Sequence, residues 1–391
     1  MKRITAIFLT LLLTLQLSAC IEVVDGGYRP NGSTTERAED SFDRIPRPPT
    51  PVVYPTWSGL AEMSEAFLSM TGAIVDVSKR TYSYAEMVED LSHLARLHSD
   101  YFSYHSFGTS VAGRELYVAV LGNPEASRQI LVSAGIHGRE YLTPLLAMKQ
   151  IEFYLAYRET GVCQGYSYAQ MLQNYCFYIV PMTNPDGVML SQEGIASISD
   201  RSLYDKIYSV YYKDYEKGYT QQTDIDEYLK IWKANANAVD LNRNFDALWD
   251  RIDTGMYRPS HKNYKGPSAA SEPETRALAQ LTESLSNVRA VLCLHSQGEV
   301  LYWDCGQSGA LRTETLAFAK MIGKRTGYEL KYDQNNDASF SDWCALERGL
   351  IAVTVETGMG ACPLEISQFT KIWNDNFDLL PRSAAYFEGA T

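Results

Sequence analysis

The amino-acid sequence predicts an α/β protein of three layers, in which helices cover both faces of a mixed, mostly parallel, twisted sheet. From residue 81 onward, apolar runs typical of strands alternate with segments of helical spacing, which is the pattern of βαβ units. Several of the apolar runs show no polar alternation, so we expect these strands to be covered on both faces. No internal repeat interrupts the pattern, and residues 81–391 are therefore expected to form one domain.

The elements of this domain follow one another in a regular order. Segments of helical spacing cover residues 82–97, 143–157, 271–285 and 312–327. Apolar runs typical of strands cover residues 115–122, 129–135, 176–182, 288–295 and 349–356. Ser271 and Glu274, at the start of one helical segment, have the spacing of a capping box. Residues 191–231, rich in Tyr, Lys and Asp, are called the tyrosine-rich segment below, and we expect a surface insertion with some helix there.

The first 80 residues differ from the rest of the chain. Lys2 and Arg3 precede an apolar run that ends at Cys20, which is the layout of a secretory signal. The final four residues, LSAC, resemble a bacterial lipobox, in which the cysteine carries a lipid. Residues 1–20 are therefore predicted to be a lipoprotein signal peptide, with an ordinary signal peptide or a retained membrane anchor as alternatives. Residues 21–80 are predicted to be a flexible Pro/Gly-rich tether followed by a short N-terminal segment of ambiguous structure.

Composition narrows the class of protein. The chain has 391 residues and a formal net charge of −12, and the lack of a basic run argues against nucleic acid as a partner. The predicted signal places the protein outside the cytoplasm, anchored by a lipid at Cys20 to a membrane of the bacterial cell envelope. Six further cysteines, an even number, permit disulfides whose connectivity the sequence cannot give. They are Cys163, Cys176, Cys293, Cys305, Cys344 and Cys362.

Four residues with metal-binding or acid–base side chains fall at the ends of apolar strands. His137 and Glu140 follow one strand, His295 ends a second, and Glu356 ends a third. Two imidazoles and a carboxylate are a ligand set of catalytic zinc, which leaves one position open for water. We therefore expect His137, Glu140 and His295 to hold one Zn²⁺ per chain and Glu356 to act as the general base for the zinc-bound water. The alternative is that these residues are core histidines and carboxylates in buried salt bridges. That alternative would have to hold at all of these sites at once.

Six short motifs carry a resemblance to a known family. In chain order they are GIHGRE (135–140), NPDGV (184–188), VDLNRNF (239–245), LHS (294–296), SDW (341–343) and TVETG (354–358). Their order and spacing resemble the zinc metallocarboxypeptidases related to carboxypeptidases A and B, over about residues 81–380. The resemblance implies the zinc carboxypeptidase fold for residues 81–391, together with the zinc and general-base roles given above.

The resemblance also implies roles that spacing alone does not supply. Arg139, and Asn242 with Arg243, match the positions that hold the terminal carboxylate of the substrate, for which a planar guanidinium is suited. Asp240 matches the carboxylate that orients the first zinc histidine. A surface salt bridge is the alternative for Arg243.

Three positions depart from the digestive members of the family. Lys233 stands where those enzymes have an arginine that stabilises the oxyanion. Gln334 stands at the position of their mobile tyrosine, with Tyr332 nearby. Ser341 stands at the base of the side-chain pocket, where it is neither acidic nor bulky and apolar. These departures resemble the bacterial branch that cuts γ-D-glutamyl-diaminopimelate bonds of the cell wall.

The function expected from the sequence is therefore an extracytoplasmic zinc-dependent peptidase of the metallocarboxypeptidase type. Its expected substrate is a peptide, or a stem peptide derived from peptidoglycan, with a free carboxylate next to the bond that is cut. Two alternatives stay open: an amino-acid deacylase of the same fold, and a catalytically inactive peptide-binding lipoprotein. An inactive protein would usually have lost the base or a metal ligand, and all four residues are present here.

Overall fold

The computed structural model describes Tyr54, residues 59–332 and residues 337–389. The predicted signal peptide, Cys20, Gln334 and most of the predicted tether lie outside these residues. In the part of the chain that is described, no helix is both long enough and apolar enough to cross a lipid bilayer. The described residues all fall within one structural unit, Pro49–Thr391.

Within the described residues, eight strands form one mixed sheet in the order β1-β2-β6-β3-β7-β10-β8-β9. The central strands β6, β3, β7 and β10 run parallel to one another, while β1, β2 and β8 join antiparallel neighbours. The separate pair β4–β5 is a two-stranded ribbon. The strand bounds are β1 Phe102–Thr109, β2 Glu115–Gly122, β3 Arg128–Ala134, β4 Val162–Cys163, β5 Tyr166–Ser167, β6 Tyr175–Val180, β7 Val288–His295, β8 Val300–Asp304, β9 Glu329–Tyr332 and β10 Ala352–Glu356.

Helices cover both faces of the sheet, which confirms the predicted three-layer α/β/α class. Side chains alternate between the faces of a strand, so Ile130 and Val132 of β3 join one buried cluster, while Leu131 joins the other. The first cluster packs under α1–α4, α9, α11 and α12, and the second under α8 and α10. The helix bounds are α1 Leu60–Leu68, α2 Tyr84–Leu97, α3 Leu142–Ala156, α4 Tyr168–Asn174, α5 Pro185–Glu193, α6 Arg201–Glu216, α7 Ile225–Leu229, α8 Pro273–Ser284, α9 Gly309–Thr326, α10 Phe340–Leu346, α11 Phe369–Asn376 and α12 Leu379–Phe387.

Residues 59–80, which the sequence left ambiguous, pack against the same core. Phe67 of α1 is fully buried, and its ring contacts Phe153 of α3 at a centroid distance of 5.2 Å. The buried carboxylate of Glu152 accepts hydrogen bonds from the backbone N–H groups of Ile74 (2.7 Å) and Val75 (3.2 Å). These contacts tie the segment to α3, so it is part of the folded body.

The tyrosine-rich segment is more than a surface insertion. It contains α6 and α7, and its apolar side chains form a third buried cluster with Trp232. Ile207, Tyr228 and Trp232 are fully buried in this cluster. The segment therefore has a core of its own, which packs beside the loop that leads to Asp240.

The predicted capping box of Ser271 and Glu274 is wrong. Helix α8 begins at Pro273, and its N-cap residue Glu272 makes no side-chain capping bond. Glu274 turns inward instead and accepts hydrogen bonds from the Val111 N–H (3.0 Å) and Asn235 Nδ2 (3.1 Å). The Glu274 carboxylate therefore bonds to these two donors and does not cap the start of α8. The disulfides that the cysteine count permitted are absent too, since all six cysteines of the described residues are free thiols.

Asp90 on α2 is another carboxyl group whose surroundings disfavour its charged form. It accepts a hydrogen bond from the buried Tyr82 hydroxyl at 2.7 Å. Burial raises the pKa of Asp90 from 3.8 to about 7. Since the folded state then binds a proton more tightly than the unfolded chain, ionisation of Asp90 reduces stability as the pH rises from about 4 to about 7.

Asp90→Asn is therefore expected to raise the unfolding temperature above that of the wild type at pH 8, by the equivalent of about 1–2 kcal/mol. The amide keeps an oxygen that can accept from Tyr82 and removes the charge. At pH 4 the advantage should vanish, because the wild-type carboxyl is then protonated in the folded protein. Thermal unfolding at both pH values measures this, with Glu89→Gln on the exposed face of α2 as the matched control. A pH-independent difference would contradict the prediction.

Candidate active site

The site lies where three neighbouring parallel strands end. In the register of the sheet, Glu356 of β10 is paired with His295 of β7, and Leu294 of β7 is paired with Ala134 of β3. The chain leaves β3 directly into the loop that carries His137 and Glu140. The carboxyl ends of parallel strands meet at one edge of a sheet, so the four predicted residues are brought together.

The loop after β3 is held by a close backbone approach. A Cβ atom on Gly138 would lie 2.3 Å from the carbonyl oxygen of Gly187, so only glycine allows this loop to pack on the start of α5. The Asn184 amide at the N-cap of α5 donates to the carbonyl oxygens of Ile136 (3.1 Å) and Ala234 (3.0 Å). The NPDG motif thereby joins the β3 loop to the segment that carries Lys233.

Three ligand atoms converge in a buried cluster. His137 Nδ1 lies 2.9 Å from Glu140 Oε1, and His295 Nδ1 lies 3.1 Å from both His137 Nδ1 and Glu140 Oε2. Ligands of tetrahedral zinc, at about 2.0–2.1 Å from the ion, are about 3.3 Å from one another, which is close to these separations. The cluster is therefore a fit for one zinc ion.

The electrostatics of the cluster favour a cation. Burial by itself would raise the pKa of Glu140, but the two imidazoles beside it hold that pKa well below its usual range. The carboxylate is thus ionised, and two ring nitrogens 3.1 Å apart cannot both carry a proton toward each other. A bound metal ion resolves this, because it accepts both lone pairs and balances the carboxylate.

Asp240 lies behind the first histidine. Its Oδ1 is 3.3 Å from His137 Nε2, the ring nitrogen that points away from the cluster. Asp240 is fully buried and also accepts hydrogen bonds from the backbone N–H groups of Asn242 (3.2 Å) and Asn263 (3.0 Å). Burial opposes ionisation, yet Lys233 and His137 hold the pKa of Asp240 well below its usual range. A carboxylate at this nitrogen fixes the ring so that Nδ1 faces the metal site.

Glu356 lies beside the cluster but is not one of the three converging residues. Its Oε2 is buried and has no hydrogen-bond partner among the described residues. Burial raises the pKa of Glu356 to about 7, and the Glu140 carboxylate adds to this rise, while His295, Lys233 and Arg139 oppose it. A bound cation would favour its charged form further. An unpaired carboxylate next to the metal site is the arrangement that a general base requires.

A polar cavity of about 170 Å³ opens in front of the cluster. It brings together most of the predicted site residues, together with polar and aromatic side chains that the sequence did not single out. Its lining consists of His137, Lys233, Asn242, Arg243, Tyr302, Trp303, Asp304, Cys305, Asp337, Ser339, Ser341, Asp342, Thr354 and Glu356. Arg139 is not part of this lining, and its buried Nε has no hydrogen-bond partner within the described residues.

Arg243 has a carboxylate partner that the sequence did not reveal. Its guanidinium lies 3.0 Å from Asp337 Oδ2, and the Arg243 side chain is only 17% exposed. Asn242 is fixed beside it, since its Oδ1 accepts from the Phe340 N–H at 3.1 Å, which leaves the amide nitrogen available to the cavity. An incoming carboxylate therefore meets an arginine that is already paired, so it must share the guanidinium with Asp337 or displace it.

The floor of the cavity is polar. Ser341 hydrogen-bonds with Ser339 (3.0 Å) and receives a hydrogen bond from Thr354 (3.1 Å). Asp304, on the neighbouring wall, is paired with Arg312 at 2.7 Å. Tyr332, which the sequence placed near the mobile tyrosine position, is 61% exposed and packs edge-on against Trp303. The cavity floor therefore suits a polar rather than an aliphatic side chain.

His261 is a buried residue that the sequence analysis did not single out. It lies in a loop, is 1% exposed and pairs with Asp214 at 2.9 Å. Burial lowers the pKa of His261, and Asp214 opposes this. No local periodicity could have indicated the contact, because the partners are 47 positions apart.

The purified protein is expected to contain about one zinc ion per chain. His137→Ala or His295→Ala should each release it, since two remaining ligands do not hold the ion against dialysis. Metal analysis after dialysis measures this. His105→Ala makes the same change at an exposed histidine of β1 and should keep the zinc. Full zinc occupancy in His137→Ala would show that the converging cluster is not the metal site.

Comparison with known proteins gives one family. The model of peptidase family M14, described as zinc carboxypeptidase, matches residues 87–379. The γ-D-glutamyl-L-diamino acid endopeptidase 1 of Lysinibacillus sphaericus is 28% identical over 299 residues, which are 76% of this chain and 70% of that protein. Carboxypeptidase B of Canis lupus familiaris is 28% identical over 233 residues, 59% of this chain and 48% of that protein.

Solved structures agree on the fold. The crystal structure of thrombin-activatable fibrinolysis inhibitor superposes with a TM-score of 0.61 at 18% identity, covering 82% of this chain and 80% of the other. The family match spans most of the chain, and the His–Glu–His group that would bind the metal is in place. The protein therefore belongs to the zinc carboxypeptidase family and is a zinc metallopeptidase.

Proposed function

We propose that this protein is an exported, lipid-anchored peptidase that hydrolyses the peptide bond next to a free C-terminal carboxylate, on stem peptides of peptidoglycan. The observation that carries the proposal is a cavity whose lining contains His137 of the metal cluster and Glu356 together with Asn242 and Arg243. The first two belong to the group that can perform hydrolysis, and the last two can hold a carboxylate. Export and the lipid anchor are inferred from residues 1–20, where Lys2, Arg3 and Cys20 have the layout of a lipoprotein signal.

The metal ligands and Glu356 have separate roles in hydrolysis. His137, Glu140 and His295 would hold zinc, which when bound acts as a Lewis acid and makes water a better nucleophile near neutral pH. Glu356, with its unpaired oxygen, takes the proton that the attacking water loses and delivers it to the leaving amine.

Lys233 supplies positive charge beside Glu356. Its side chain is only 16% exposed, so its charge acts in a cleft where water screens it weakly. We assign to it the stabilisation of the negative charge that develops on the scissile carbonyl oxygen. Asp240 has a supporting task, since it keeps the His137 ring oriented.

Asn242 and Arg243, which line the same cavity, recognise the substrate terminus, because both present donors to a carboxylate. The substrate-binding role expected for Arg139 stays a prediction, since Arg139 is not part of this lining. Ser339, Ser341 and Thr354 also line the cavity and make its floor polar. This lining favours a side chain that itself carries hydrogen-bonding groups.

A diamino acid has such a side chain. The relative from Lysinibacillus sphaericus is named for cleavage at a γ-D-glutamyl-L-diamino acid bond, and Asp337 and Asp342 would place carboxylates near the second amino group of such a residue in this cavity. These features support a stem peptide that ends in a diamino acid as the substrate. A peptide with an aliphatic terminal residue lacks groups that could use the polar floor.

Glu356→Gln is expected to keep zinc and lose about 10²–10⁴-fold in kcat, because the amide cannot accept the proton. Zinc analysis and steady-state kinetics on a stem peptide measure the two properties separately. Glu347→Gln, a change of the same kind at an exposed position, is the control and should behave as the wild type. Near-normal turnover by Glu356→Gln would assign the base to another group.

Recognition of the substrate carboxylate can be tested by changing the substrate and by changing the protein. A stem peptide with a free terminal carboxylate should be cut about 10–100-fold faster, in kcat/KM, than its amidated form, which is the range expected for charge-assisted hydrogen bonds. Arg243→Ala should slow cleavage of the free peptide by a similar factor and leave the amidated one almost unchanged.

The matched control for this experiment is Arg276→Ala, at an exposed arginine of α8, which should preserve the preference for the free peptide. Equal cleavage of free and amidated peptides by the wild type would contradict carboxylate recognition. It would instead indicate an endopeptidase in which Arg243 has another task.

A further inference from the structure

Asp214, near the end of α6 in the tyrosine-rich segment, is a fully buried carboxylate surrounded by donors. It accepts hydrogen bonds from the Tyr228 hydroxyl (2.6 Å), the Ser260 hydroxyl (2.7 Å) and the Arg258 guanidinium (2.8 Å). Nδ1 of His261 lies 2.9 Å from it and the His261 backbone N–H 3.3 Å. Two of these donors belong to the same residue, so Asp214 fixes both the ring and the peptide of His261.

The carbonyl group of His261 connects this hydrogen-bonded cluster to the residues of the cleft. It accepts hydrogen bonds from two successive backbone N–H groups, those of Lys233 (2.9 Å) and Ala234 (3.0 Å). The carbonyl of Lys233 in turn accepts from the N–H of Gly138 at 3.2 Å, in the loop between the ligands His137 and Glu140. An unbroken series of short contacts thus joins α6 to the backbone of Lys233.

The position of the Lys233 ammonium depends on where its backbone is held. Its Nζ lies 4.0 Å from Asp240 Oδ2, outside hydrogen-bond distance, and it lines the same cavity as Glu356. The stem of lysine is flexible, so a small displacement of residue 233 toward Asp240 would shorten this long ion pair to a direct hydrogen bond. The Lys233 charge would then be drawn away from the cavity.

We propose that Asp214 is a positioning residue for Lys233. By fixing the peptide of His261, it holds the Lys233 backbone so that the ammonium faces the cavity instead of closing onto Asp240. Asp214 then supports the catalytic site from behind the cleft wall without contacting the substrate. This inference rests on the role that the proposed function gives to Lys233.

A double-mutant cycle tests the inference on the full-length zinc enzyme. Lys233→Met should lower kcat by about 10²–10³-fold, the range for loss of one group that stabilises an oxyanion. Asp214→Asn should lower kcat at least tenfold while KM changes less than about threefold, because an error of about 1 Å in position acts on the reacting state. In the Lys233→Met background, Asp214→Asn should reduce kcat by less than about twofold further.

A matched control separates positioning from general loss of stability. Ile207→Ala removes a fully buried side chain of the same helix and cluster without touching the hydrogen bonds of Asp214. It should lower the unfolding temperature, change kcat little, and act independently of Lys233→Met. If Asp214→Asn does not fold, Tyr228→Phe removes the 2.6 Å donor at constant volume and takes its place in the cycle.

The possible outcomes are distinct. Equal effects of Asp214→Asn in the presence and absence of Lys233 would overturn the positioning role and leave the proposed peptidase function intact. Normal kcat in Lys233→Met would overturn both the role of Lys233 and the inference that rests on it. If Glu356→Gln loses activity while Lys233→Met turns over normally, only the role assigned to Lys233 is wrong, and the role assigned to Glu356 stands.

Discussion

The structure depends on holding two imidazole nitrogens and one carboxylate oxygen about 3 Å from one another in a buried place. The imidazoles of His137 and His295 favour the ionised form of Glu140, but burial penalises that charge, and the two ring nitrogens face each other at 3.1 Å. Their arrangement persists because the surrounding backbone leaves them no alternative. The unfavourable free energy of holding these groups together is offset when a cation binds to all three.

That backbone is held by a small number of contacts, most of which involve groups without a charge. Gly138 permits contact with the start of α5 because it has no side chain, and the Asn184 amide binds the two loops that flank the cavity. The carbonyl of His261 holds Lys233 and Ala234 from the other side. The metal loop, the NPDG turn and the tyrosine-rich segment are therefore joined by a continuous set of hydrogen bonds that positions each part relative to the next.

The cavity lining combines two different electrostatic situations. Glu356 Oε2 has no partner in the described structure, and burial raises the pKa of Glu356 to about 7 against the opposing charges of His295, Lys233 and Arg139. Arg243, by contrast, is partly neutralised by Asp337 at 3.0 Å. A pairing of this kind lowers the cost of burying the guanidinium. In the function proposed above, a substrate carboxylate would compete with Asp337 for Arg243.

The sequence by itself determined the three-layer class, the inner strands β3, β6, β7 and β10, and the metal cluster. These follow from local periodicity and from the rule that parallel strands end at one edge, which brings His295, Glu356 and the start of the loop that carries His137 together. The sequence missed β1, β8 and β9 of the main sheet. Strands β1 and β9 are half exposed and lack a strong apolar signal, and β8 has only five residues. It also misjudged Glu274, because the donors that hold it come from Val111 and Asn235, far away along the chain. Only the tertiary structure could pair Arg243 with Asp337 and Asp214 with His261, since such contacts depend on the paths of long loops, and periodicity contains no information about where two loops meet.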